Sequence, residues 1–174
     1  MILRLCLLLA LTSSLEAQAV FAAIGPGGGV NLGATFSGFD SDYGKRILGG
    51  GTLYLDANLY RTLGVEVEAR ALMLRSDDGV RVVTYMAGPR VSTRARRMRA
   101  YGKLLAGRGE FTFPYHYAEG SYFAWAPGAG VDYRVGGSRL TLRLVDLEYQ
   151  LWPGFSFGPL HPFGASTGLS FRVF

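Results

Sequence analysis

His116, His161 and Cys6 are the only imidazole- and thiol-bearing residues in the chain, so base, nucleophile and soft-metal chemistry have three places to reside. One cysteine excludes a disulfide framework and a Cys-built zinc site. A histidine base needs a nucleophile beside it, yet His161 is followed by Pro162 and Phe163, and the nearest downstream serine is Ser166. His116 and Glu119 offer two metal contacts in one stretch, and two ligands do not make a site. No nucleophile, base and orienting group fall together. The expectation is no catalytic residue, no cofactor and no metal. Residues 24–29 read IGPGGG, but a phosphate cradle needs a helix after it and a strand pattern follows. This stretch is read as a flexible entry to the fold.

The remaining chemistry is ionic. Asp56, Glu66, Glu68, Asp132, Asp146 and Glu148 are interleaved with Arg70, Arg90 and Lys103, while Arg90, Arg94, Arg96, Arg97 and Arg99 form a basic cluster. A mixed set of this kind resembles a catalytic constellation, but paired charges packing a narrow interior account for it more simply. What the charges do depends on the elements that carry them.

Those elements are strands. Leu53, Leu55, Ala57 and Leu59 share one face, opposite Thr52, Tyr54, Asp56 and Asn58. Val65, Val67, Ala69, Ala71 and Met73 alternate with Glu66, Glu68 and Arg70, and Leu169, Phe171 and Val173 alternate with Gly168, Ser170 and Arg172. Successive strand side chains point to opposite faces, so each segment has one apolar and one polar side. The pattern predicts strands near 30–38, 48–60, 65–74, 80–89, 99–108, 122–133, 139–151 and 163–174. Turn chemistry separates several of them, as at Thr62-Leu63-Gly64, Asp77-Asp78-Gly79, Gly136-Gly137-Ser138 and Trp152-Pro153-Gly154. One strand breaks its parity: Arg143 sits on odd positions, Asp146, Glu148 and Gln150 on even ones. Either a β-bulge intervenes near Leu144 and Val145, or Arg143 faces outward and snorkels.

Composition narrows the setting. The 174 residues include 25 Gly, 11 Phe and 10 Tyr, and 49% are hydrophobic, which excludes a disordered chain. The net charge of +5 is modest, and no nucleic-acid partner is expected. Residues 1–19 read as a secretory signal, with Arg4, an apolar stretch and Ala17-Gln18-Ala19 predicting cleavage after Ala19. Residues 20–174 then form a single domain without cysteine. No later segment supplies the roughly 18 consecutive apolar residues of a spanning helix, whereas strands of about 9–11 residues suffice to cross a bilayer at a tilt.

Alternation fits both a soluble barrel around an apolar pocket and a membrane barrel with its polar face inside. Aromatic residues crowd the strand ends, among them Phe36, Phe39, Tyr43, Phe111, Phe113, Tyr115, Tyr117, Tyr122, Phe123, Trp125, Tyr149, Trp152, Phe155 and Phe157. Their distribution suggests two interfacial girdles. Charges of both signs can pair inside a closed cylinder. TYMAGPR at 84–90, YFAWAPGAGVDY at 122–133, Glu148-Tyr149-Gln150 and GLSFRVF at 168–174 resemble the small outer-membrane β-barrel family, of the OmpA/OmpX-like type.

That resemblance implies an all-β, eight-stranded antiparallel up-and-down transmembrane β-barrel in the cell outer membrane. It also implies lipopolysaccharide and phospholipid as partners, and recognition of the last strand by the outer-membrane barrel assembly machinery. Ser166, Gly168, Phe171 and Val173 match the family's terminal spacing of polar, glycine, aromatic and apolar residues, with Phe174 extending one residue beyond. Stretches 39–47, 75–79, 109–121 and 152–162 should lie outside the cell, and 61–64, 90–98 and 134–138 should face the periplasm. The arginine cluster then lies beside anionic headgroups and reads as membrane-surface electrostatics, with a periplasmic partner second. Eight strands leave an interior that side chains fill, so no ligand cavity or wide pore is expected. The expected role is non-enzymatic, in envelope integrity or loop-mediated interaction. The alternatives are a lipid-modifying enzyme on the same barrel, which in this family would use a surface histidine and serine, and an exported soluble barrel binding a hydrophobic ligand.

Overall fold

A strand with chemically opposed faces has to cover one of them, and here the whole sheet does so by curling shut. The computed structural model describes residues 28–44, 47–73, 80–113 and 118–173. The proposed signal, residues 1–19, His116, Tyr115, Tyr117 and Phe174 lie outside them. The strands are β1 (Gly29–Asp40), β2 (Ile47–Tyr60), β3 (Leu63–Met73), β4 (Arg81–Ala95), β5 (Met98–Thr112), β6 (Glu119–Arg134), β7 (Leu140–Tyr149) and β8 (Phe163–Arg172). Each pairs antiparallel with the next, and β1 pairs with β8 from Asn31↔Arg172 to Asp40↔Phe163, so the sheet is a closed up-and-down barrel.

Two-residue turns at 61–62 and 96–97 and a five-residue connection at 135–139 gather at the end that also holds the start of β1 and the end of β8. Longer connections occupy the opposite end, as in outer-membrane barrels generally. Several strands run further than the sequence suggests, whereas β7 stops at Tyr149 and β8 at Arg172, short of the expected 151 and 174. Only Arg96 and Arg97 of the stretch 90–98 form the turn, with Arg96 in the left-handed region at φ 54°. β5 likewise continues to Thr112, and β6 begins at Glu119.

The faces are inverted relative to a water-soluble protein. Leu53, Val67, Val91, Leu147, Leu169 and Phe171 are exposed on the outer wall, whereas Asp56, Glu66, Arg70, Arg90 and Arg143 are at most 2% exposed inside. A soluble lipid-binding barrel would enclose the apolar face instead. The parity break in β7 is resolved by a bulge: Val131 pairs with Val145 and Asp132 with Arg143, leaving Leu144 over. Leu144 and Val145 both face outward, and Arg143 turns into the lumen beside Asp146 and Glu148.

The lumen has two layers. At the long-loop end, Phe39, Leu48, Leu72, Val82, Met86, Leu105, Phe111, Phe113, Trp152, Phe155 and Leu160 form an apolar plug. This corrects the girdle expectation for Phe39, Phe111, Phe113, Trp152 and Phe155, which are buried; Phe36, Phe123, Trp125 and Tyr149 remain outside. The physical reason is that the 150–162 connection turns inward: Phe111 and Phe155 meet edge-on at 5.2 Å, and Tyr122 and Phe155 at 4.8 Å. Rings that would otherwise lie at a headgroup level cover the mouth.

Below the plug, two tyrosines lie flat against glycine. Tyr54 covers its cross-strand partner Gly33, and Tyr101 covers Gly130. A methyl group at Gly33 would run into the Tyr54 ring and the Leu169 carbonyl. Gly33→Ala should therefore destabilise the folded barrel by about 1–3 kcal/mol through overpacking. Urea titration of the barrel refolded in phospholipid vesicles, read by heat-modifiable electrophoretic migration, checks this; an unchanged midpoint would refute the packing argument.

Candidate functional site

Period-two geometry sends the ionised residues of six strands to one axis. β2 contributes Asp56, β3 Glu66, Glu68 and Arg70, β4 Arg90, β5 Arg99 and Lys103, β6 Asp132, and β7 Arg143, Asp146 and Glu148. Six carboxylates thus face five cations in a bore with little room for water. An ion in such a place costs several kcal/mol to desolvate, and only a matched partner offsets this.

The matching is dense. Lys103 Nζ lies 3.1 Å from Glu66, 3.2 Å from Glu68, 2.8 Å from Asp146 and 3.1 Å from Glu148. Arg70 holds Glu148 in a two-pronged contact at 2.6 and 3.0 Å and also reaches Glu68 at 2.9 Å. Arg143 donates to Glu66 at 2.9 Å and lies 3.4 Å from Asp132 and 3.3 Å from Asp146. Arg90 bridges Asp56, Glu66 and Asp132. Arg99 closes the lower end with Asp56 at 2.8 Å, Asp132 at 3.0 Å and Asn58 at 3.0 Å.

The tyrosines complete the packing. The Arg143 guanidinium carbon sits 3.6 Å from the centre of the Tyr54 ring and 5.0 Å from that of Tyr101, and Arg90 sits 3.7 Å over Tyr101. Guanidinium is weakly hydrated and stacks on aromatic faces, so these contacts replace water that the bore cannot hold. A polar chain links this layer to the plug above: Trp152 Nε1 donates to Gln150 at 2.9 Å, and Gln150 Nε2 donates to Glu148 at 2.8 Å.

Oxygens of Glu66, Glu68 and Asp146 lie within 4.8 Å of one another, the spacing of a metal-binding group. The Lys103 ammonium touches all three, so the position a cation would take is filled by a side chain. The other sequence candidates do not converge. Ser166 faces inward and shares a hydrogen bond with Ser37 at 2.8 Å. His161 stacks on the outward-facing Tyr149 at 5.9 Å, and its backbone N–H donates to Asp42. The two stand on different sides of the wall. Glu119 is exposed at the start of β6.

Of the five clustered arginines, Arg90, which alternation also places in the lumen, is fully enclosed, and Arg99 is largely so, so neither belongs to a surface patch. Arg94, Arg96 and Arg97 remain exposed. Alternation places Asp56, Glu66, Glu68, Arg70, Arg90, Lys103, Asp132, Asp146 and Glu148 in the lumen, and all are buried there. The role of Tyr54 and Tyr101 emerges only from the structure; its one signal in the sequence is a tyrosine on the polar parity of its strand.

Lys103→Met should leave four carboxylates without their shared cation and destabilise the barrel by about 3–5 kcal/mol. Adding Glu68→Gln should recover part of that loss by removing one orphaned charge. Urea unfolding from vesicles followed by tryptophan fluorescence measures both variants; a Lys103→Met barrel as stable as the wild type would overturn the neutralisation argument.

No family model matches the chain, and no curated protein matches it in sequence. Solved structures do. Neisserial surface protein A aligns with a TM-score of 0.68 at 11% identity, covering 84% of this chain and 97% of its own. The outer membrane protein OprG from Pseudomonas aeruginosa aligns with a TM-score of 0.57 at 11% identity, covering 86% of this chain and 97% of its own. Ail, the attachment invasion locus protein of Yersinia pestis, solved with the heparin analogue sucrose octasulfate, aligns with a TM-score of 0.51 at 18% identity, covering 83% and 97%. The chain is an eight-stranded antiparallel barrel with the fold of the small outer-membrane β-barrels.

Proposed function

We propose that this protein is a non-enzymatic, integral outer-membrane barrel that anchors its outer loops in the envelope and conducts nothing through its bore. The observation that carries this reading is the double filling of the lumen, by the ionic layer around Lys103 and by the aromatic plug around Phe111 and Phe155. The exposed apolar wall supports lipopolysaccharide and phospholipid as its surroundings. Its connection 150–162 lies against the plug, so what the barrel offers outward is a braced surface rather than a channel mouth.

Export is part of the same reading. Residues 1–19 serve as a signal removed after Ala19, and Ser166, Gly168, Phe171 and Val173 on the last strand serve as the mark read by the assembly machinery. The fit of this chain to barrels such as OprG supports the location in fold alone. Structural support of the envelope and loop-mediated contact with a partner outside are the two roles this reading assigns to the filled barrel.

The full mature chain should need detergent for extraction and give no large, stable conductance steps in planar bilayers. Nitroxides at Leu53 and Leu55 should collide freely with bilayer-dissolved oxygen, while one at Thr52 should not. Stable open pores would overturn the filled-bore reading, and oxygen-shielded labels at Leu53 and Leu55 would overturn the membrane assignment.

A further inference from the structure

The alternation that carries acids and bases into the lumen does not stop at the short-turn end of the barrel. β4 presents Arg90, Ser92 and then Arg94 on its inward series, and Arg94 pairs with Arg99 across to β5. β6 presents Asp132 and then Arg134 on the same side, and β8 presents Ser170 and then Arg172. Asn31 of β1 and Asn58 of β2 complete the circuit. Arg94, Arg99, Arg134, Arg172, Asn31 and Asn58 line a hollow of about 270 Å3 at this mouth. Parity points these side chains at the barrel axis and not at the surrounding lipid.

Their charges are unequally matched. Arg99 is held by Asp56 and Asp132, and Arg172 donates to the Gly28 carbonyl at 2.8 Å. Arg94 and Arg134 have no carboxylate among the described residues, and the charged groups that act on Arg134 are Arg94, Arg172 and Arg99. The hollow is lined by no acid, while Asp132 lines the narrow cleft that Arg94, Arg99 and Arg134 share beside it. Asp56 and Asp132, the nearest, are already shared with Arg90 and Arg99. Arg61, Arg96, Arg97 and Arg139 add further positive charge on the adjoining turns, where the sequence has no Asp or Glu. Like charges converging within a Debye length repel, and a multiply charged oxyanion turns that repulsion into paired, charge-assisted hydrogen bonds.

We propose that the short-turn mouth of the barrel is a binding site for phosphoryl groups, with Arg94 and Arg134 as its principal pair; Asn31 and Asn58, whose amides already donate to Asp56 and to the Gly29 carbonyl, lie beside them. The guanidinium fork matches phosphate oxygens in pairs, which favours phosphoryl groups over simple halide counterions. Two sources present this chemistry: a soluble oligophosphate entering along the axis, and the headgroup of an anionic phospholipid folded over the rim. That the mouth faces the periplasm rests on the outer-membrane reading above; the binding chemistry does not.

The test uses the full mature barrel, folded in zwitterionic micelles at low salt, with tripolyphosphate as the probe and calorimetry as the readout. Tripolyphosphate should bind, with affinity falling as salt rises. The variant R94Q/R134Q should lose affinity by about tenfold or more. R96Q/R97Q, which alters the turn tip and the narrow cleft beside the hollow but leaves the hollow's own lining intact, should lose no more than about threefold. Heat-modifiable migration verifies that both variants are folded.

The sources separate in nanodiscs: tripolyphosphate binding suppressed by phosphatidylglycerol but not by phosphatidylcholine assigns the headgroup, and binding equal in both assigns a soluble oligophosphate. A folded wild-type barrel that ignores tripolyphosphate at low salt overturns the proposal, as does a turn-tip variant as impaired as R94Q/R134Q. Either result leaves the membrane assignment standing. A barrel that fails to enter bilayers overturns that assignment while its micelle binding remains readable.

Discussion

Hydrocarbon offers no hydrogen bonds, so a sheet within it must satisfy every backbone group by meeting its own edge. In this chain the edge is met where β1 pairs with β8, and closure at eight strands leaves a bore just wide enough for side chains. The rest follows from that width. A charge directed inward cannot keep its hydration shell, so it must find an opposite charge on a neighbouring or facing strand. The five cations and six carboxylates of the lumen are arranged so that almost every ion touches two or more partners. Such a cluster is retained for what it excludes, namely water and an unfilled bore, more than for any one pair.

The apolar layer solves the same problem by other means. Towards the long-loop end the inward series carries Leu72, Val82, Met86, Leu105 and Phe111, and the 150–162 connection adds Trp152, Phe155 and Leu160 from above. A ring brings volume without needing an ionic partner. Gln150 joins the two regimes, accepting from the Trp152 indole and donating to Glu148, which Arg70 grips in turn. Loop and lumen are therefore one packed body.

Much of this was legible in the chain. In β2 and β3 one parity is polar and the other apolar, so Asp56, Glu66, Glu68 and Arg70 fall on one face, and that face is the inside once the apolar one is given to lipid. Even the bulge was readable as one of two outcomes, because Arg143 and Asp146 cannot share a face unless a residue is inserted. The plug was not legible, for a physical reason. Where the lumen itself is apolar, both parities look alike: Leu104 and Leu105, or Tyr85 and Met86, differ in direction but not in chemistry. Outside the strands period two no longer applies, and nothing in the sequence of Trp152 or Phe155 says that their loop turns inward. Arg99 reads as part of a patch because it lies close to its basic neighbours in sequence, whereas strand geometry divides such a run between bore and rim.

The distribution of ions among strands has one more implication. Every charged member of the lumen cluster comes from β2 through β7, while the inward residues at the β1–β8 junction are mostly hydroxyls and glycines, such as Thr35, Ser37, Ser166, Gly168 and Ser170. Several of these ion pairs span the bore, Arg70 of β3 reaching Glu148 of β7 and Arg99 of β5 reaching Asp56 of β2, so they tie together strands that closure brings face to face. Among the described residues no salt bridge crosses the β1–β8 seam, which is held by ten uninterrupted backbone pairings and by small hydroxyl contacts such as Ser37 with Ser166.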